Sequence, residues 1–109
     1  MDTVSRYREI ARSVLAEHVD AETTTHPIET KLIESQDDLL LLAVGWQQHR
    51  RVHGVLAHVS FRNGKVWVEQ DNLEGGVADR LVEAGVPHDQ IVLGLQPVEF
   101  RPLTEFASA

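Results

Sequence analysis

Six histidines are the side chains of this 109-residue chain that most directly suggest metal chemistry. They are His18, His26, His49, His53, His58 and His88. A zinc site gathers several ligands within about 2 Å of one ion, and its ligands often come from closely spaced pairs such as HxH or HExxH. Neither pair occurs here, and the five-residue step from His53 to His58 would place the two on opposite faces of a regular strand. The spacing therefore predicts no bound metal.

Other chemically capable side chains also lack the spacing of an active site. Ser60 and Ser108 have no neighbouring pattern that would orient a general base towards a nucleophile. The pair Gly75-Gly76 matches neither the dinucleotide fingerprint nor the P-loop. Asp71, Glu74 and Asp79 could be general acids or bases. They are better explained by position: Asp71 at a strand end, Glu74 in a first helical turn, which favours anions, and Asp79 on a solvated helix face. We therefore expect no enzyme activity and no cofactor.

Charge argues against a protein that binds DNA by itself. The chain has 10 Lys and Arg against 17 Asp and Glu, a net charge of -7. Its one concentrated basic group is His49-Arg50-Arg51, which could contact phosphate or an acidic partner, or could be an ordinary polar turn. Because non-specific affinity for nucleic acid comes from many clustered cations, we expect no strong direct DNA binding. An acidic surface would suit a basic protein partner.

Three features predict a cytoplasmic protein that is not inserted in a membrane. The chain has no cysteine, which fits a reducing compartment. Its first residues, Met1 to Arg6, are too polar for a secretory signal. The longest nearly continuous apolar run, Leu39 to Val44, is far shorter than the roughly 20 residues of a membrane-spanning helix.

The hydrophobic pattern predicts a single domain over residues 1–109. Apolar residues spaced three and four apart predict an N-terminal helix between Val4 and His18, and Asn72 followed by Leu73, Val77, Leu81 and Ala84 predicts a second. Residues 21–27 form a predicted loop, and residues from 96 onward an extended tail. Five strands are predicted, at Ile28–Glu34, Leu39–Trp46, Arg51–Arg62, Lys65–Gln70 and Ile91–Leu95. The apolar run in the second of them predicts a strand with both faces largely covered. The expected fold is α+β, an antiparallel meander with both helices packed on one face and a fifth strand after the second helix.

Asn63-Gly64 is a strong signal for a two-residue hairpin, and it fixes which side chains share a face. With that turn, Ser60 pairs with Trp67 and His58 with Glu69. Six residues are then predicted to face the helices: Phe61, Val59, Ala57, Val55, Val66 and Val68. The opposite face is predicted to be a protein or dimer interface, because tryptophan dominates such surfaces, and its residues are Leu56, His58, Trp67 and Glu69. Alternatively, another segment such as the C-terminal tail covers Trp67, while Trp46 is expected to pack internally.

One ordered set of residues runs along nearly the whole chain: Gly45, Trp46, Arg51, Gly64, Lys65, Trp67, Gly85, Pro87 and the run Ile91-Val92-Leu93-Gly94. This set resembles one family, the XisI-like proteins, known as fdxN-element excision controlling factors and best known from cyanobacteria. The chain departs from the usual family residues at three places, where identical partner contacts are not expected: Asp38-Leu39, Leu95 and Asp71-Asn72-Leu73-Glu74.

The resemblance implies a non-enzymatic accessory protein. XisI-like proteins act with a nuclease-like companion, XisH, to control excision of a DNA element by a separate recombinase, and the family brings no catalytic residues to carry over. The resemblance therefore implies binding to a XisH-like companion, and a homodimer is also possible. Two alternatives stay open at this point. The chain could neutralise its companion as an antitoxin does, which its acidity would suit, or it could bind a small molecule.

Overall fold

The computed structural model describes residues 3–19 and 27–109, so most of the predicted loop over residues 21–27, including His26, lies outside the described residues. Two α-helices, five strands and two 3-10 helices occur in those ranges. They are α1 Thr3–Ala16, β1 Ile28–Glu34, β2 Asp38–Gln47, β3 Arg50–Arg62, β4 Lys65–Asp71, α2 Val77–Glu83, a first 3-10 helix His88–Gln90, β5 Ile91–Leu93 and a second 3-10 helix Val98–Leu103. No helix within this part of the chain is long and apolar enough to span a membrane.

The five strands form one sheet in the order β1-β2-β3-β4-β5. The first four are antiparallel neighbours, which confirms the predicted meander. Strand β5 runs parallel to β4, because α2 lies between the two strands and returns the chain to the same end of the sheet. The C-terminal tail is less extended than predicted, since Val98–Leu103 forms a 3-10 helix before Ala107 pairs with Val92 beside β5.

Both helices pack on one face of the sheet, as the α+β prediction required. Strands β2 and β3 present alternate residues to them, with Leu39 and Leu41 fully buried on β2, and Ala57 and Val59 fully buried on β3. Burying one such large aliphatic side chain contributes about 1.5–3 kcal/mol. The helices supply the other half of this core through Tyr7, Ala11, Val14, Leu15, Val77, Ala78 and Leu81.

Polar contacts fix α1 over the β1–β2 turn. Arg8 donates hydrogen bonds to the backbone carbonyls of Ser35 and Gln36. Arg12 donates to Glu34 at 2.6 Å and to Glu9 at 2.8 Å. The hydrogen bond to Glu34, followed by the charges of Glu34 and Glu9, raises the pKa of the Arg12 guanidinium. These side chains are exposed, so the contacts set the orientation of the helix more than its stability.

The second helix begins at Val77, and its N-cap, Gly76, lies four residues after the predicted N-cap at Asn72. The two glycines cause the difference, because Gly75 and Gly76 have φ angles of 85° and 80°, which an α-helix does not contain. Asp71 stabilises the resulting loop. Its carboxylate accepts hydrogen bonds from the backbone N–H of Leu73 at 3.3 Å and of Val77 at 2.6 Å.

We expect Asp71→Ala to lower the free energy of unfolding by about 1 kcal/mol, the usual loss when a side chain that accepts from the first turn of a helix is removed. Urea denaturation measures the change. Asp71→Asn is the matched control, since its amide oxygen still accepts a hydrogen bond, and it should recover at least half of the loss. Equal losses in both variants would contradict a hydrogen-bonding role for this side chain.

The Asn63-Gly64 hairpin is confirmed. Both turn residues have positive φ, 54° and 75°, as the predicted two-residue turn requires. Ser60 pairs with Trp67 as expected. The predicted pairing of His58 with Glu69 is wrong, because the register shifts after Val59 and His58 pairs with Gln70. Glu69 is the extra residue of a β-bulge.

Candidate functional site

The sheet face turned away from the helices, here called the far face, holds most of the residues predicted to bind a partner. Paired residues in neighbouring strands share a face. One row of paired residues crosses the sheet from β2 to β5 and consists of Asp38, Ser60, Trp67 and Val92, one on each strand. Trp67 and Val92 are buried but lie outside the helix-side core cluster. The prediction that Trp67 lies opposite the helices is therefore consistent with the register.

A second β-bulge changes which β3 residues reach the far face. Leu41 pairs with Ala57 but Leu42 pairs with Val55, so Leu56 is an extra residue. Leu56 packs against the helix-side core. Its predicted place beside Trp67 is wrong, because strict alternation along a strand ends at a bulge. Val55 was predicted to face the helices, and this is also wrong, because Val55 pairs with Leu42 and stands on the far face.

The same bulge corrects the expected placement of two histidines. His58 pairs with Leu40 and His53 with Val44, so both histidines lie on the far face and not on opposite faces. Their partners on β2 are four residues apart, which separates the two imidazoles by about 13 Å along the strand, too far for both to bind one ion. No group of three or more potential metal ligands occurs in the described parts of the chain.

Trp67 is covered by residues of its own chain, and only 8% of it is exposed. The guanidinium carbons of Arg62 and Arg101 lie 4.0 and 5.3 Å from the centre of its ring. Gly94 is also close, since a Cβ at that position would lie 3.2 Å from the indole. The geometry matches the alternative in which the tail covers this tryptophan. Trp67 is thus not available as an exposed anchor.

Hydrogen bonds hold these covering groups in place. Glu69 accepts from Ser60 at 2.9 Å and from Arg62 at 3.0 Å. Arg101 donates to the backbone carbonyl of Gln96 at 3.1 Å and to that of Gly94 at 3.4 Å. Two of the predicted interface residues are therefore engaged inside the chain, Trp67 in stacking and Glu69 in hydrogen bonds. We call this region, Ser60, Arg62, Trp67, Glu69 and Arg101, the covered half of the far face.

The remaining predicted interface residue, His58, lies at the border of the covered half. Its Nε2 is 2.8 Å from an oxygen of the Asp38 carboxylate, and the imidazole is partly exposed. Beyond it the far face has no cover from the described residues. Whether His58 meets a partner stays a prediction.

Strands β1 to β3 leave an apolar part of the far face accessible, which we call the open half. Along β2 the burial alternates: Leu39, Leu41 and Ala43 are buried against the helices, whereas Leu40, Leu42 and Val44 are only partly buried. The strand predicted at Leu39–Trp46 was expected to be largely covered on both faces, and the described residues fully cover only one. The open half consists of Ile33, Leu40, Leu42, Val44, Trp46 and Val55.

Trp46 lies at the end of the open half and is 51% exposed, so the prediction that it packs internally is wrong. It stands near the β2–β3 turn, beyond the helices, and pairs with Arg51. The Arg51 guanidinium lies 5.3 Å from the centre of its ring. The predicted basic contact, His49-Arg50-Arg51, is exposed at this hairpin tip. Exposed tryptophan beside cations is typical of contact surfaces.

Two further side chains that could take part in chemistry make structural contacts instead. Asp71 binds the loop before α2, and Ser60 is 4% exposed with its hydroxyl bonded to Glu69. A depression of about 320 Å³ lies between α1 and Ala84, and one of about 280 Å³ lies beside Asp38 and Arg62. Both are at the lower end of the volumes of small-molecule sites.

Comparison with known proteins gives a consistent answer. The model of the XisI protein family matches residues 1–108. The crystal structure of the fdxN element excision controlling factor XisI from Anabaena variabilis ATCC 29413 is 29% identical, with a TM-score of 0.79, and the match covers 99% of this chain and 100% of that one. A XisI-like protein from the same organism is 26% identical, with a TM-score of 0.80 and the same coverage. No curated protein matches the chain.

Proposed function

Because this chain belongs to the XisI family, we propose that it is a non-enzymatic protein that controls excision of a DNA element by binding other proteins. The observation that carries the proposal is the match along 99% of the chain to a protein named as an excision controlling factor. The surface is consistent with such a role. Its exposed apolar residues include Phe100 and Leu103, which are 52% and 81% exposed.

The proposed companion is a XisH-like protein with a nuclease fold. Nucleases bind DNA through basic surfaces, and a net charge of -7 favours association with such a surface. Electrostatic attraction of this kind mainly accelerates association and selects the partner. The chain itself would then bind DNA weakly. His49, Arg50 and Arg51 can displace only a few counterions from DNA, and the net negative charge of the chain opposes its approach to the phosphates.

The same net charge favours a second function, in which the chain neutralises the companion. An acidic protein that covers the DNA-binding surface of a nuclease would inhibit it, as an antitoxin does. The two functions differ in the sign of one effect. A controlling factor raises or directs excision, whereas a neutralising partner lowers the nuclease activity of its companion.

A reconstituted assay tests the proposal. A XisH-like protein is purified, and its binding to this chain is measured by titration calorimetry at two salt concentrations. We expect binding that weakens as salt rises, because the attraction is electrostatic. Duplex DNA alone should bind the chain weakly at physiological salt, which fluorescence anisotropy measures.

The companion's activity on DNA carrying the element ends is then measured with and without the chain. Increased or redirected excision supports the controlling role, and loss of cleavage supports the neutralising one. Absence of companion binding, or tight DNA binding by the chain alone, would contradict the proposal.

A further inference from the structure

We infer that the open half of the far face is a homodimer interface, in which two copies of the chain pack their sheets face to face around a two-fold axis that runs along β2. The residues of the open half lie on β1 to β3, where the described parts of the chain leave them accessible. The proposed dimer requires neither the companion nor the covered half around Trp67.

The burial pattern shows that this face lacks a cover within the described chain. Leu40, Leu42 and Val44 alternate with fully or largely buried neighbours on the same strand, yet they stay partly exposed. Ile33 and Trp46, at the two ends of the open half, are 46% and 51% exposed. Antiparallel sheets with one solvated face normally carry polar residues there. An apolar second face therefore indicates a second layer, as in sheet sandwiches packed about 10 Å apart.

The charges around the open half are complementary to their own two-fold image. Val44 on β2 pairs with Glu29 on the β1 edge of the open half and with His53 on its β3 edge, so these two side chains flank it on the same face. Arg51 follows at the same edge, level with Trp46. A two-fold axis along β2 exchanges the two sides of the face, so the β1 edge of one copy meets the β3 edge of the other.

That arrangement stacks Val44 on its own image and brings Glu29 over the partner's basic edge. Lys31 pairs with Leu42, so the same axis places it over Val55 of the second copy and away from Lys31 of that copy. A two-fold axis across the strands at the level of Leu42 would instead oppose Lys31 to itself, and like charges brought together at an interface are costly. Glu29 and Lys31 point to the same face, since their charged groups are 3.9 Å apart. The charge pattern thus fits an axis along β2.

The area of the face predicts a reversible dimer. Three strands about 4.8 Å apart and six residue steps along β2 give a patch of roughly 20 by 14 Å. A patch of this size is near the largest that monomers usually expose, and it is smaller than the roughly 800 Å² per partner of a standard stable interface. The two copies should therefore dissociate on dilution.

Sedimentation equilibrium of the full chain over a range of protein concentrations tests the inference. We expect twice the monomer mass at high concentration. Leu42→Glu places a charge at the centre of the interface and should raise the dissociation constant by roughly 100-fold or more. Leu103→Glu is the matched control, because Leu103 is 81% exposed and lies outside the open half. It should leave the dissociation constant unchanged.

A charge exchange tests the symmetry with residues whose replacement leaves the core intact. Glu29→Arg should weaken the dimer about fivefold, and Arg51→Glu by a similar factor, since each opposes like charges across the axis. The double variant should recover the original affinity. As a second measurement, acrylamide should quench Trp46 in dilute protein and quench it less in the dimer, while Trp67 stays shielded at every concentration.

Two results together support the inference. The dimer is lost in Leu42→Glu but not in Leu103→Glu, and the double variant Glu29→Arg/Arg51→Glu recovers the affinity that each of its single substitutions lowers. A chain that is monomeric at every concentration would overturn it. A dimer unaffected by Leu42→Glu, or weakened equally by Leu103→Glu, would place the interface elsewhere. If the chain stays monomeric and Leu42→Glu abolishes binding of the companion instead, the face belongs to the companion and the homodimer is excluded.

Discussion

Replacing Trp67 with alanine is expected to lower the free energy of unfolding by about 3–5 kcal/mol, as for other buried tryptophans. The indole is 8% exposed and lies between the sheet and the side chains of Arg62 and Arg101. Its removal leaves a cavity and frees the tail segment that Arg101 anchors. Since domains of this size are stable by about 5–15 kcal/mol, the loss is a large part of the total. Urea denaturation followed by circular dichroism measures it.

Two controls separate burial from mere aromatic character. Trp46→Ala should cost less than about 1 kcal/mol, because Trp46 is 51% exposed and makes one exposed cation–π contact with Arg51. Trp67→Phe should be much milder than Trp67→Ala. The indole N–H of Trp67 is buried and finds no acceptor among residues 3–19 and 27–109, so phenylalanine loses no hydrogen bond there. A larger loss in Trp46→Ala than in Trp67→Ala would contradict the burial of the two residues.

Much of the fold could be predicted because local signals in the sequence agree with the tertiary structure. The bounds Ile28–Glu34 predicted for β1 are those observed. The Asn63-Gly64 turn fixed the register of β3 and β4 as far as the pair Val59–Val68. The second helix was predicted too early because Asn72 resembles an N-cap, whereas Gly75 and Gly76 adopt φ angles that exclude them from a helix.

The candidate site was harder to predict, because two β-bulges interrupt the alternation on which the placement rested. The extra residues Leu56 and Glu69 fit the alternating pattern as well as regular residues do, so no local signal marks them. The burial of Trp67 depends on Arg101, which is distant in sequence. One signal was available for the open half. The continuous apolar run of β2 predicted cover on both faces, while only one set of helices was predicted to supply it.

Gly45→Ala is expected to cost about 2–4 kcal/mol, since a strained backbone costs about 1–3 kcal/mol and a lost hydrogen bond about 1 kcal/mol more. Gly45 has a φ of 158°, and a Cβ there would lie 2.1 Å from the carbonyl oxygen of Pro27. That oxygen accepts a hydrogen bond from the backbone N–H of Trp46 at 3.1 Å. The added methyl group must push the start of β1 away from β2 and break this bond. Denaturation curves and protection of the β1 amides from hydrogen exchange measure the effect.

Gly54→Ala is the matched control on the neighbouring strand. Gly54 pairs with Ala43, and a Cβ at its position would meet nothing within 4 Å. This substitution should leave stability unchanged or raise it by a few tenths of a kcal/mol, because alanine restricts the unfolded chain more than glycine does. A difference between the two variants therefore reports the close approach of Pro27 and not glycine content in general. Equal effects of the two substitutions would mean that β1 does not start against Gly45. The resemblance to the XisI family at Gly45 would then need another physical explanation than this contact.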